Sequence, residues 1–209
     1  MEQKISFKKY LLIVALGFGL GGLLWGLILY QGIPDVQFPF HFMAIIIMGL
    51  FGGISLFWYS RDIKKYSKSV LAGFLGWGIG FIVGEILSYP LYFIGGLLLV
   101  PLGYIIEIEI LNQIINLEPN IGIGDFWLIF LLIGAVIGLF YSLLLKLKIW
   151  PLVWRSGVGL ALGSIIGPIL GNLIGNLFNS LLISYLITFI LIAIISGLSL
   201  GWGVYKYKK

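Results

Sequence analysis

The chain has 209 residues, of which 60% are hydrophobic and only 10% are charged, and its mean hydropathy is +1.11. A water-soluble domain of this size cannot bury so much apolar surface, so this composition excludes that class and predicts an integral membrane protein. The net charge of +5 would suggest nucleic-acid binding in a soluble protein, but here cytoplasmic loops account for it, and we expect no nucleic-acid partner.

Six apolar segments follow one another along the chain, and each is long enough for a helix to cross the hydrocarbon core. The connections between most of them are short, so residues 1–209 are predicted to form a single membrane domain whose main partner is the lipid bilayer. The six segments are Tyr10–Tyr30, Phe40–Tyr59, Ser69–Leu87, Phe126–Leu145, Ser156–Leu177 and Leu181–Tyr205.

A seventh apolar segment, Pro90–Leu111, is interrupted by Pro101 and Gly103. If it does not cross the membrane, all 13 Lys and Arg residues lie on one side. If it crosses, the last two basic clusters move outside, against the rule that short cytoplasmic loops carry the positive charge. We therefore predict six spans in a cytoplasmic-type membrane, with both termini in the cytoplasm. Residues 88–125 would form an outer insertion that either re-enters the membrane or lies on its surface.

Glycines recur at a fixed distance from basic residues in all six segments. In each outward-going segment, a glycine follows the last basic residue by eight positions, and another comes four positions later. In each inward-going segment, a Gly-x-x-x-Gly pair ends eight positions before a basic residue. The glycines are Gly17, Gly21, Gly49, Gly53, Gly76, Gly80, Gly134, Gly138, Gly163, Gly167, Gly197 and Gly201.

This spacing predicts three tandem helical hairpins with approximate threefold pseudosymmetry, formed by residues 10–59, 69–145 and 156–205. Lipid supplies no hydrophobic force between helices, so glycines four apart favour close helix packing, with a glycine-lined pore as the alternative. We expect a tightly closed inner half. Larger residues toward the outer ends predict that the helices splay there, around an outward-facing cavity partly covered by residues 88–125.

Four residues are candidates for binding a ligand in this cavity. Glu85 is an ionisable residue near the outer end of the third span, where it either has a function or extends to water. Asn172, Asn176 and Asn179 lie on one helical face, four residues and more after Pro168, which should kink the helix. The alternative role for the asparagines is hydrogen bonding between helices.

No residue pattern predicts a metal, a cofactor or a catalytic centre. The chain has no cysteine and a single histidine, His41, which excludes thiolate and multi-histidine metal sites. Acidic residues such as Glu107 and Glu109 do not have the spacing of a calcium loop. The glycine motifs at residues 17–22 and 197–201 lie inside spans, without the preceding strand that a nucleotide site or a nucleophile elbow requires.

The sequence favours a small-solute binding or transport component with an outward-facing cavity. The alternative is a non-catalytic structural or assembly subunit of a larger membrane complex, packed against other membrane subunits. An enzyme that acts on lipid would need a catalytic cluster, and none is visible, so we expect no enzymatic activity.

Overall fold

The computed structural model describes residues 5–31, 37–58, 62–103 and 123–207, without the side chains of residues 37–41, 85, 88–103 and 123–128. Within these ranges the protein is all-helical, with six helices and no strand. In chain order the helices are α1 (Phe7–Tyr30), α2 (Gln37–Phe57), α3 (Ile63–Gly103), α4 (Ile123–Leu145), α5 (Ile149–Leu177) and α6 (Leu181–Tyr207).

Four helical segments in the described ranges are long and apolar enough to cross a membrane. They are Phe7–Tyr30, Ile63–Gly84, Ile149–Leu177 and Leu181–Tyr207. The parts of α2 and α4 with described side chains, Phe42–Phe57 and Ile129–Leu145, are shorter apolar helices. The prediction of an all-helical protein with several helices suited to a membrane is therefore confirmed.

The helices form a ring in chain order, because each packs against the next and α6 packs back against α1. α2 also touches α6, so the ring is narrow and its centre is occupied by side chains. The outward surface of α1 carries Leu12, Leu16 and Leu20, which are 53–60% exposed and share one face as expected for contact with lipid. The largest fully buried side chains are those of Trp77, Tyr10, Tyr141, Phe18 and Met48.

The glycines of the outward-going helices lie against the second helix of their own hairpin. A Cβ added at Gly80 would lie 3.1 Å from the carbonyl oxygen of Ile133, and one at Gly167 would lie 2.7 Å from that of Thr188. Such short distances show that the two helix backbones approach closely, with no room for a side chain at Gly167 and little at Gly80. Gly17, Gly21, Gly76 and Gly163 make contacts of the same kind.

The glycines of the inward-going helices instead lie against the first helix of the next hairpin. A Cβ at Gly53 would lie 2.6 Å from the carbonyl oxygen of Ser69, and one at Gly138 would lie 2.5 Å from that of Leu152. Between α6 and α1, which complete the ring, the glycines instead face the side chains of Phe18 and Val14. Gly49, Gly134, Gly197 and Gly201 are the other glycines at these contacts.

The predicted end of the third span after Leu87 is wrong as a helix boundary, because α3 continues without a break to Gly103. Pro90 removes one backbone hydrogen bond, but the flanking residues are apolar helix formers, and a proline can bend such a helix without ending it. Pro101 and Gly103, which were expected to interrupt the segment, are likewise part of the helix. With 41 residues, α3 is about 60 Å long, which exceeds a single membrane crossing. The remainder of the predicted insertion, 104–122, lies outside the described residues.

The contact register of the third hairpin also differs from that of the second. Gly76 packs on Ile137, which is next to Gly138, whereas Gly163 packs on Ile192, nine residues before Gly201. The physical reason is the short turn between α5 and α6, residues 178–180, which fixes which residues of the two helices face each other. The number of residues between a glycine and a basic residue does not depend on this turn, so the difference in register could not be predicted from that spacing.

Two helices end in residues with left-handed backbone conformation. Lys146 follows α4 with φ 54°, and Asn179 follows α5 with φ 47°. In the first turn the Leu147 N–H donates to the Ser142 carbonyl oxygen over 2.8 Å, and in the second the Ser180 N–H donates to that of Gly175 over 2.9 Å. Both are Schellman motifs, in which this conformation usually belongs to glycine or asparagine.

Candidate functional site

Asn172 joins α5 to α6. Its Oδ1 atom accepts a hydrogen bond of 2.6 Å from the Ser184 hydroxyl, and the asparagine is half-buried. One turn further along α5, a Cβ at Gly175 would lie 2.6 Å from the Cβ of Ser184. The halves of these two helices next to the turn at residues 178–180 are therefore in close contact and do not splay.

The other predicted ligand-binding residues lie on α5, in the turn after it, and on α3. Asn176 and Asn179 are exposed, and the left-handed conformation of Asn179 in the turn after α5 accounts for an asparagine at that position. Glu85 belongs to α3, one residue after Gly84, which packs against α4 at Ile133. The side chain of Glu85 lies outside the described residues, so its predicted place at the cavity stays a prediction.

Two aromatic side chains meet in the interior of the ring. The ring centroids of Phe18 and Trp77 are 6.3 Å apart, and both side chains are fully buried. Glycines make room for them, since a Cβ at Gly197 would lie 2.5 Å from the Phe18 ring and one at Gly49 would lie 2.7 Å from the Trp77 ring. The bundle therefore places bulk from α1 and α3 against bare backbone from α2 and α6.

Several buried side-chain polar atoms have no hydrogen-bond partner among the described residues. Four of them belong to residues that are at most 1% exposed and come one each from α3, α4, α5 and α6: Trp77 Nε1, Tyr141 Oη, Ser156 Oγ and Ser196 Oγ. Trp25 Nε1 and Arg155 Nη1 are further examples. Leaving such atoms unpaired in an apolar medium costs free energy, which usually indicates that water or a ligand completes them.

Other buried serines contrast with this group, because their hydroxyls are satisfied. The Ser69 hydroxyl donates to the Gly53 carbonyl oxygen over 2.8 Å and so joins α3 to α2. The Ser164 hydroxyl donates to the Ala161 carbonyl oxygen of its own helix over 2.8 Å. Unpaired polar atoms are thus not a general property of serine in this bundle. The sequence analysis missed Ser156 and Ser196, because serine in a span most often bonds to its own helix.

Basic side chains surround a pocket at the ends of α2, α3 and α4. Its volume is about 210 Å³. The lining combines the lysine side chains of Lys65, Lys68 and Lys146 with the apolar side chains of Phe57, Leu144, Leu145 and Leu147. The sequence analysis used these lysines only to assign orientation, since nothing in a linear pattern indicates that residues 68 and 146 meet.

A second basic cluster lies where α5 begins and α6 ends. The Tyr207 ring has three cationic groups within 5.9 Å of its centroid, those of Lys148, Arg155 and Lys206. The Arg155 guanidinium also stacks 4.3 Å from the Trp202 ring centroid. Cation–π contacts of this kind are common where basic and aromatic residues share a membrane interface.

Within the part of the chain that the structure describes, no three His, Cys, Asp or Glu residues come together in a group that could hold a metal ion. No protein-family model matches this chain, and no curated protein or solved structure matches it at a significant level. Arguments about function therefore depend on the geometry of the bundle itself.

Proposed function

We propose that this protein is a six-span membrane component that binds or transports a small neutral solute through the interior of its helix ring. The observation that carries the proposal is the set of four unpaired polar atoms, one from each of four consecutive helices. Hydroxyl and indole groups suit a solute that exchanges neutral hydrogen bonds, or water itself.

Two of these groups lie at the same helix contact. Tyr141 Oη lies 3.0 Å from where a Cβ at Gly73 would stand, and the Trp77 ring lies beside Gly49. Gly49 and Gly73 are in direct contact, so a hydroxyl from α4 and an indole from α3 reach the same α2–α3 contact. We propose access from the outer side, where Glu85 lies on α3, into an outward-facing cavity.

The proposed topology has both termini in the cytoplasm of a cytoplasmic-type membrane, and three hairpins related by approximate threefold pseudosymmetry. Support for the symmetry comes from the alternation of contacts, in which outward-going helices use their glycines within a hairpin and inward-going helices use theirs between hairpins. Support for the orientation comes from the basic residues, which follow the positive-inside rule only in a six-span arrangement.

The alternative function is that of a structural or assembly subunit. It is favoured by the filled interior at Phe18 and Trp77, and by the close contacts of the predicted packing glycines with neighbouring helices. A bundle of that kind needs no internal water. The two functions therefore differ in whether the unpaired polar atoms are hydrated.

Thiol labelling tests this difference directly, because the natural chain has no cysteine. Ser156→Cys and Ser196→Cys would be made singly and treated, in native membranes, with a small water-soluble methanethiosulfonate cation. A hydrated interior predicts labelling of both at rates well above that of Leu16→Cys, which lies on the lipid-facing surface of α1. Ser180→Cys, in the turn between α5 and α6, serves as the accessible control.

Labelling of Ser156→Cys and Ser196→Cys at the same low rate as Leu16→Cys, while Ser180→Cys reacts, would overturn the solute path and favour the structural subunit. A second measurement sharpens the positive case. A neutral solute that occupies the path should slow labelling at Ser196→Cys and leave Ser180→Cys unchanged, so candidate solutes can be screened by protection.

A further inference from the structure

The lysine-lined pocket at the ends of α2, α3 and α4 combines two kinds of surface. Phe57, Leu144, Leu145 and Leu147 supply apolar side chains, and three lysines supply positive charge. Lys65 is half-buried, whereas Lys68 and Lys146 are exposed. A cavity that is apolar on one side and cationic on the other matches a ligand that has an anionic group attached to a hydrocarbon chain.

Two of the lysines come from different parts of the fold. Lys68 lies on α3 and Lys146 in the turn after α4, so the pocket receives two positive charges that lie far apart in sequence. None of the described lining residues is acidic, so the lining suits an anionic ligand.

Lys146 provides a second, independent observation. It has a left-handed backbone conformation with φ 54°, at the position of a Schellman turn that normally holds glycine or asparagine. The corresponding turn after α5 does have an asparagine, Asn179, with φ 47°. Lysine is disfavoured in this conformation, and residues that keep a strained backbone are concentrated at binding sites. We infer that the positive charge of Lys146 has a role in binding, which glycine or asparagine at this position would not fill.

We propose that this pocket binds the phosphate group of an anionic glycerophospholipid, with Lys65, Lys68 and Lys146 around the phosphate and the four apolar side chains against the glycerol and the first acyl carbons. Lysine ammonium groups are common phosphate ligands. The site goes beyond the proposed solute path and involves none of its residues. Only its assignment to the cytoplasmic leaflet depends on the proposed topology.

Two asparagine substitutions, made separately, form a matched pair for the test. Lys146→Asn removes one charge and installs a residue that favours the left-handed conformation. Lys148→Asn removes one charge two residues away, at the N-cap of α5, where asparagine is also a preferred residue, and Lys148 does not line the pocket. Both variants should fold, and melting curves of both would verify this. Lys146→Asn should melt at the same temperature as the natural protein or higher.

Binding would be measured by native mass spectrometry of the full chain in neutral detergent, with dihexanoyl phosphatidylglycerol as the probe and dihexanoyl phosphatidylcholine as the uncharged comparison. Because the protein is in micelles, the result does not depend on its orientation in a membrane. We expect phosphatidylglycerol to bind preferentially, and Lys146→Asn to weaken its binding about tenfold, as loss of one charge-assisted hydrogen bond predicts. Lys148→Asn should stay within about twofold of the natural protein.

Equal weakening by the two variants would overturn the site, because the effect would then follow net charge alone. Natural affinity in Lys146→Asn would overturn it as well. Millimolar inorganic phosphate distinguishes the two sources of the anion. Retention of phosphatidylglycerol in its presence supports a lipid ligand, whereas complete displacement would overturn the lipid assignment in favour of a free-anion site.

Discussion

The hairpin of α5 and α6 and the hairpin of α3 and α4 use glycine in the same spacing but reach different packing densities. In the former, a Cβ at Gly167 would lie 2.7 Å from a backbone oxygen, and the close contact continues outward through Gly175. In the latter, a Cβ at Gly76 would lie 3.3 Å from its nearest neighbour. Glycine spacing thus indicates where helices approach, while the residues opposite decide how closely.

The same two hairpins differ in what they place in the ring interior. Trp77 of α3 fills the centre, whereas Ser164, at the same distance from a basic residue in α5, is small and bonded within its own helix. The hairpin of α3 and α4 therefore contributes a large side chain at this position, whereas the hairpin of α5 and α6 contributes a small one. In a transport cycle, the loosely packed hairpin of α3 and α4 would be the part able to move.

The largest effect is expected where bulk fills the interior. Phe18→Ala should lower the free energy of unfolding by about 3–5 kcal/mol, because the ring that packs on Gly197 and Trp77 would leave a cavity. Ser164→Ala is the comparison and should cost about 1 kcal/mol or less, since it removes one local hydrogen bond. Unfolding in mixed micelles measures both. Similar losses of free energy for the two variants would contradict the structure, in which Phe18 fills more of the interior than Ser164 does.

A smaller effect on stability is expected when glycines at matching positions of the two hairpins are replaced by alanine. Gly167→Ala should destabilise by about 1–3 kcal/mol, because its Cβ would meet backbone that cannot move aside. Gly80→Ala meets Ile133 at 3.1 Å, and the higher helix propensity of alanine, about 1 kcal/mol over glycine, should offset most of the cost. The difference in melting temperature between the two variants is the measured quantity. A Gly80→Ala variant that is the less stable of the two would reverse the order of packing density.

The smallest effect concerns the polar contact that closes the outer end of α5 and α6. Ser184→Ala should cost about 0.6–1.7 kcal/mol, the range of hydrogen bonds between membrane helices, because Asn172 would lose its donor. Asn176→Ala, on the exposed side of the same helix, should stay within about 0.5 kcal/mol of the natural protein. If Asn176→Ala has the larger effect, the exposed asparagines have a role that hydrogen bonding within the bundle does not explain.

The all-helical character of the described residues, with several helices suited to a membrane, could be predicted from the sequence, because apolar length is a local property. The course of α3 through Pro90 could not, since a proline bends or ends a helix according to what surrounds it. The partner of Asn172 also escaped prediction, because Ser184 faces it only in the register that the turn at 178–180 imposes. The left-handed conformation of Lys146 could not be predicted either, because lysine rarely adopts it.

The account depends most directly on the closure of the ring by α1 and α6. A Cβ at Gly201 would lie 3.5 Å from that of Val14, at the short end of the distances found in disulfides, about 3.5–4.5 Å. Val14→Cys with Gly201→Cys should therefore form a disulfide under mild oxidation in native membranes and lose its reaction with a maleimide polymer until it is reduced. The polymer reaction is read after the membranes are dissolved in SDS, so that every free thiol can react. Leu12→Cys with Gly201→Cys, in which Leu12 faces away from the bundle, should then keep both thiols reactive. Equal reactivity of the two pairs after oxidation would contradict a closed ring and with it the proposed solute path.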